Sequence, residues 1–125
     1  NGGLADARNF GFFVAKADLV LPLDADDLID PTFLETAHEL LTKNPGAHLA
    51  IANLKGFGDW DYEWILPEYD AVDLRYTNMF HCSALMRRRL WEAVPGGYPT
   101  TTLFGYEDWA FWLAAQDRLS GPKGS

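Results

Sequence analysis

An apolar run, Leu19-Val20-Leu21-Pro22-Leu23, stops on three carboxylates in four positions, Asp24-Ala25-Asp26-Asp27, and no other junction constrains the chain as much. An unbroken apolar run suits a buried strand, and acidic residues directly after it put the strand's end at a polar surface. Pro22 weakens that strand, since it has no N–H to give to a ladder. Downstream, Asp30 and Pro31 supply an N-cap and a first-turn proline. Phe33, Leu34, Ala37, Leu40 and Leu41 then form a helical stripe that Asn44-Pro45-Gly46 terminates. His48 to Asn53 suits a second strand. Upstream, Leu4, Ala7, Gly11 and Val14 recur at spacings of three and four, which predicts a first helix ending near Lys16 with those residues on one face.

Helix, strand, helix, strand is the order of an α/β layer with a largely parallel sheet, because parallel neighbours need crossovers. In open α/β sheets functional groups collect beyond the carboxyl ends of strands, where the acidic cluster falls. Residues 54 to 77 mix Gly, Asp, Trp and Tyr without a clean period and read as a loop or irregular hairpin over one sheet edge. Met79 to Met86 reads as a strand, Arg87 to Val94 as a short helix, and Pro95-Gly96-Gly97-Tyr98 as a turn. A final helix is expected from about Glu107, with Trp109, Trp112, Leu113 and Gln116 on one face and Gly121-Pro122 ending it. No internal repeat or low-complexity tract interrupts this order.

With 125 residues, 48% of them hydrophobic, the chain can bury one core and not two. Residues 1–120 form the expected domain, and 121–125 a tail. A formal net charge of −8 repels phosphate backbones, which argues against DNA or RNA as a partner. A mononucleotide remains compatible if a divalent cation bridges its phosphates to carboxylates. Cys82 is the single cysteine, so neither an intrachain disulfide nor a thiolate metal cluster can form, and a reducing, cytoplasmic compartment fits. No stretch approaches the roughly 18 apolar residues of a membrane span. The start also lacks a signal peptide's basic region, and the expectation is a cytoplasmic piece whose longer parent can be membrane-associated.

Three adjacent carboxylates repel one another unless a cation or water screens them, and Mg²⁺ or Mn²⁺ takes oxygen ligands while keeping positions for substrate phosphates. The spacing fits metal binding and a solvated acidic turn equally. Glu107-Asp108 opens a helix, where plain capping competes with a general base held near a sugar hydroxyl. Gly2-Gly3 with Arg8-Asn9 can cradle a phosphate or make a turn and a surface helix. Arg87-Arg88-Arg89 reads as a solvated face in preference to an anion site. His81, beside Cys82, reads as core in preference to a ligand. Trp60 and Trp64 suit a hydrophobic lid or a sugar-stacking wall, and Tyr98 and Phe104 suit packing.

Taken in order, four segments resemble glycosyltransferase family 2 with the GT-A fold. They are Gly2-Gly3-Leu4-Ala5-Asp6-Ala7-Arg8-Asn9, then Leu23-Asp24-Ala25-Asp26-Asp27 with Pro31. Ala84-Leu85-Met86-Arg87-Arg88 with Gly96-Gly97-Tyr98 follows, and Gly105-Tyr106-Glu107-Asp108-Trp109 closes the series. The resemblance spans nearly the whole chain and implies a partial GT-A, Rossmann-like three-layer sandwich. It makes Asp24-Ala25-Asp26 the family's Asp-x-Asp motif. Asp26 is then the direct ligand of Mn²⁺ or Mg²⁺, and Asp24 lies near the ribose or the metal's water shell, with Asp27 in support. It further implies Asp108 as the base toward the acceptor hydroxyl, Glu107 and Trp109 around the acceptor, and Arg8 among the substrate-binding residues.

The activity so implied is inverting, metal-dependent transfer of a sugar from a nucleotide-diphosphate donor to a hydroxyl on a glycan, lipid or protein. Two departures from the family pattern accompany it. The strand and loop that hold the nucleobase in the family would precede Asn1, so the chain is expected to lack them, to bind donor poorly and to pair with itself through an exposed sheet edge. The Gln-x-x-Arg-Trp motif of processive members has only Gln116-Asp117-Arg118 in its place, which favours a non-processive transferase. Two rival readings remain: a metal-dependent phosphohydrolase using the same carboxylates, and a non-catalytic glycan- or protein-binding fragment.

Overall fold

The computed structural model describes residues 3–56, 63–65, 68, 83–100 and 107–119. Its elements run α1 (Gly3–Val14), β1 (Leu19–Val20), α2 (Phe33–Lys43), β2 (Leu49–Ala50), β3 (Leu54–Lys55), β4 (Glu63–Trp64), β5 (Leu85–Arg87), α3 (Arg88–Ala93) and α4 (Glu107–Leu119). This is a small mixed α/β arrangement. The tail at 121–125, the Gly121-Pro122 stop, Trp60, Phe104 and the His81-Cys82 pair lie outside the described residues. Among those described, no helix is long and apolar enough to cross a membrane.

The three-stranded sheet has the order β1-β5-β2. Val20 lies opposite Met86, Leu49 opposite Met86 and Ala50 opposite Leu85, and both pairings are antiparallel. The expected largely parallel sheet is therefore corrected. β1 and β2 do run the same way, joined through α2 as a crossover requires, but β5 lies between them in the opposite sense. In sequence β5 follows β2 by way of residues 51–84 and not through α2. Within that stretch β3 and β4 pair as a two-stranded antiparallel ribbon, in line with the expected irregular hairpin.

Alternation along the strands sorts side chains to two faces. Ala84 and Met86 join a core with Ala5, Phe12, Leu90, Val94, Tyr98, Phe111, Trp112 and Ala115, with Val20 and Leu49 packed against it. Leu85 turns the other way to Ala37, Leu41 and Ala50, with Leu19, Leu21 and Phe33 alongside. So α2 covers one face of the sheet, while α1, α3 and α4 cover the other. Tyr98, Phe12, Phe111, Leu41 and Met86 are the largest fully buried side chains, and each contributes about 1.5–3 kcal/mol through burial.

α2 lies where its stop and start signals put it. Its N-cap position is Thr32 and not Asp30; the Asp30 carboxylate instead accepts from the Thr32 N–H at 2.8 Å and the Thr32 hydroxyl at 2.7 Å. These two bonds hold the Asp30 carboxyl below its ordinary pKa, the hydroxyl bond having the larger effect. Asn44 closes the other end, donating Nδ2 to the Leu40 carbonyl at 2.8 Å. α1 corrects the expected face. Ala5, Arg8 and Phe12 are its buried residues, whereas Leu4, Ala7, Gly11 and Val14 are exposed.

Arg87 and Arg88 are half-buried, Arg89 is exposed, and all three donate to backbone carbonyls. Arg87 donates Nε to the Ala47 carbonyl at 2.7 Å and Nη2 to the Leu41 carbonyl at 2.7 Å, closing the C-terminus of α2. Arg88 donates Nε to the Phe12 carbonyl at 2.9 Å, closing α1, and pairs with Glu92. Arg89 reaches the Pro45 carbonyl at 3.2 Å. Cations are favoured at these ends because the last carbonyls of a helix lack partners and carry the negative end of its dipole.

Candidate functional site

Beyond β1 the backbone reverses in a tight turn, in which the Asp27 N–H donates to the Asp24 carbonyl at 3.1 Å. That reversal gathers side chains that an extended strand would send to opposite faces. Asp24, Asp26 and Asp27 each offer a carboxylate oxygen, and these atoms all lie within 4.8 Å of one another. Asp24 and Asp27 are half-buried and Asp26 is exposed. Oxygen donors at this spacing suit a hard divalent cation, which accepts two or three carboxylates and fills its other positions with water or phosphate oxygen. The three residues thus fit an Mg²⁺- or Mn²⁺-binding role. Among the described residues this is the one such group, which leaves the two-metal phosphohydrolase alternative without a second described cluster.

Arg8 approaches from the buried face of α1. Its Nη2 donates to Asp24 Oδ1 at 3.2 Å, with 6% of the Arg8 side chain and 31% of the Asp24 side chain exposed. The guanidinium also lies over the Tyr98 ring, 5.6 Å from its centroid. Arg8 is therefore a buried cation on α1 that faces the acidic turn.

Asn9 has a different partner. Its Oδ1 accepts from the Tyr98 N–H at 2.8 Å and from Trp91 Nε1 at 3.0 Å, and its Nδ2 donates to the Tyr98 carbonyl at 2.8 Å. Gly96 and Gly97 make the preceding turn with φ of 78° and 66°, a region that favours glycine. At Gly97 space is an equal constraint, because a Cβ there would collide with Asn9 Oδ1 and Trp91 Nε1. The Arg-Asn pair of α1 and the Gly-Gly-Tyr turn, eighty-nine positions apart at Asn9 and Tyr98, are two halves of one joint.

The third group stands at the start of α4. Glu107 opens the helix, and Asp108 Oδ1 accepts from the Trp109 N–H at 2.8 Å. One turn further, Phe111 stacks on Tyr98 with centroids 4.2 Å apart and planes 19° apart. The acidic turn, Arg8, Tyr98 and the helix bearing Asp108 are thereby joined in one line of contacts. Tyr98, expected to pack, does so with no exposed surface, and it also carries the guanidinium. No periodicity identifies it as the link, because its partners come from α1 and α4.

Away from this line, an open hollow of about 550 Å³ lies beside the end of α2 and the start of β2, lined by Leu40, Asn44, Pro45, Ala47 and Ile51 among others. No candidate site residue lines it. Nearby His48 is half-buried, and its pKa is lowered by burial first, then by the positive charges of Arg89 and Arg87.

A family model described as glycosyl transferase family 2 matches residues 1–107. No curated protein and no solved structure matches the chain.

Proposed function

The chain belongs to glycosyltransferase family 2, and from that premise we propose that it serves the metal-dependent, inverting transfer of a sugar. The donor is a nucleotide-diphosphate sugar and the acceptor a hydroxyl on a glycan, lipid or protein. The observation that carries this reading is the acidic turn, whose three carboxylates bring oxygen atoms within 4.8 Å of one another a short way beyond β1. A bound Mg²⁺ or Mn²⁺ supplies positive charge against the diphosphate leaving group.

The residues divide the work by position. Asp26, the exposed member of the turn, is the direct metal ligand; Asp24 faces the ribose or the metal's water shell, and Asp27 supports the turn. Asp108 takes the proton from the acceptor hydroxyl, with Glu107 and Trp109 bounding the acceptor. One base with no nucleophile suits a single in-line displacement, and such a displacement inverts the anomeric carbon. Replacing Asp108 with Asn in the enzyme is expected to lower kcat by about 10²-fold or more while Mn²⁺ binding and melting temperature hold. Undiminished kcat would remove Asp108 from the base role. Donor hydrolysis exceeding transfer at every acceptor concentration would favour the hydrolase instead.

We also propose that copies of the chain pair with one another. Support comes from α1, where Leu4, Phe10, Phe13 and Val14 are 47%, 67%, 70% and 51% exposed, an apolar surface of the kind that marks an interface. A monomer at every concentration in sedimentation equilibrium would contradict it.

A further inference from the structure

We propose that the outer edge of β2, with the hollow beside it, takes an extended acidic peptide as an added strand. This surface stands apart from the acidic turn, and the inference does not draw on the metal-dependent reading.

Backbone register opens the edge. In the sheet order β1-β5-β2, β2 has a neighbour on one side only. The Arg87 N–H donates to the His48 carbonyl at 3.0 Å, and the next residue, Leu49, lies opposite Met86. Successive residues of an antiparallel strand direct their backbone groups to alternate sides, so Leu49 directs its N–H and carbonyl away from β5. Among the described residues no strand lies on that side, which leaves a template for one. The hollow of about 550 Å³ runs beside it, lined by Leu49 and Ile51 and, from α2, by Leu40 and Lys43. Leu40 is 51% exposed. A row of backbone groups next to an apolar hollow is what strand addition uses, main chain for affinity and alternate side chains for fit.

Charge selects the occupant. The chain carries a formal −8, yet this rim is basic. Lys43 lines the hollow, and Arg89 bonds to the carbonyl of Pro45, another lining residue. Among the described residues neither Arg87 nor Arg89 pairs with a carboxylate; both donate to backbone carbonyls. Lys43 meets Glu39 at 3.4 Å, with both side chains largely exposed, a pairing that water screens. A second copy added at the same edge by two-fold pairing would bring a second Lys43 and Arg89 to the same place. A peptide bearing carboxylates neutralises them instead.

Fluorescence anisotropy on the full chain tests this with short, end-capped, labelled peptides in which Val alternates with Glu or with Lys. The Glu peptide is expected to bind at least about tenfold more tightly than the Lys peptide. Two further Glu peptides carry backbone N-methyl groups, one at every Val and one at every Glu. Only alternate N–H groups face β2, so one pattern is expected to weaken binding about tenfold more than the other. Lys43→Glu/Arg89→Glu is expected to weaken the Glu peptide about tenfold and to tighten the Lys peptide.

Equal affinity for the Glu and Lys peptides, equal effects of the two methylation patterns, or no saturable binding of the Glu peptide at about 1 mM would overturn the inference. Self-association altered by Lys43→Glu/Arg89→Glu in sedimentation, with no peptide bound, would assign the edge to a second copy and overturn it too. Should that variant fail to fold by circular dichroism, the peptide comparisons on the wild type decide alone.

Discussion

Asn9 closes both backbone groups of Tyr98, accepting from its N–H at 2.8 Å and donating to its carbonyl at 2.8 Å. A side-chain amide here does what a neighbouring strand would do, and the same oxygen takes the Trp91 indole N–H. Removing the side chain leaves three partly buried polar groups without it.

Asn9→Ala is therefore expected to destabilise the chain by about 3 kcal/mol, since each buried polar group left unmade costs about 1–3 kcal/mol less any water that enters. Asn9→Asp keeps the acceptor and loses the donor, and the expected loss is about 1–2 kcal/mol. Thermal melts of the two variants, run together, give the order.

The glycine turn separates backbone strain from crowding. Gly96 and Gly97 both have positive φ, but only Gly97 has no room for a Cβ. Gly96→Ala is expected to cost about 1 kcal/mol, and Gly97→Ala about 2 kcal/mol or more, because Asn9 and Trp91 must also shift. Equal losses in urea melts would show that the joint yields more easily than its geometry implies.

Arg87 bonds to two carbonyls at 2.7 Å through different nitrogens, which a lysine ammonium on its flexible stem does not reproduce. Arg87→Lys and Arg87→Met are accordingly expected to lose similar stability, about 1–2 kcal/mol. Full stability in the lysine variant would mean that charge near the end of α2 is sufficient.

His48 predicts a pH dependence of stability. Its folded pKa lies below the ordinary imidazole value because of burial, with the charges of Arg89 and Arg87 adding to it, so the unfolded chain takes up this proton first as pH falls. Its contribution to stability is complete above the unfolded pKa. It declines as pH drops below about 6.5 and levels off once the folded group also titrates. Melting temperatures from pH 7.5 to 5 should fall for wild type more than for His48→Gln; parallel curves would assign the dependence elsewhere.

What the residues disclose in advance depends on how local the deciding contact is. α2 was legible because its punctuation is local: Asp30-Pro31 before it, Asn44-Pro45-Gly46 after it. The acidic turn was legible for the same reason, being four consecutive residues, Asp24 to Asp27, a short way beyond β1. The face of α1 was not. Leu4, Ala5, Ala7, Phe10, Phe12, Phe13 and Val14 place apolar side chains almost all round the helix, so periodicity has no preferred side. The buried side is chosen by Arg8 and Asn9, whose partners Asp24 and Tyr98 stand sixteen and eighty-nine positions away. The sense of β5 was hidden because the partners of Met86, Val20 and Leu49, lie far from it along the chain. Within α4, Trp112 and Gln116 were expected on the inner face, whereas Phe111 and Ala115, also buried, were missed beside the more conspicuous tryptophans.

The helix ends closed by arginine also bear on the order of assembly. The carbonyl ends of α1 and α2 are met by Arg88 and Arg87, which lie seventy-six and forty-six residues from Phe12 and Leu41. The end of α3 is met by Arg118, whose Nε donates to Ala93 at 3.2 Å. A chain emerging from the ribosome would carry its first two helices with frayed last turns until β5 arrived, and α3 would wait for α4. Closure of contacts so distant along the chain slows folding and makes it cooperative. α1 is sealed only after the residues through Arg88 have been made.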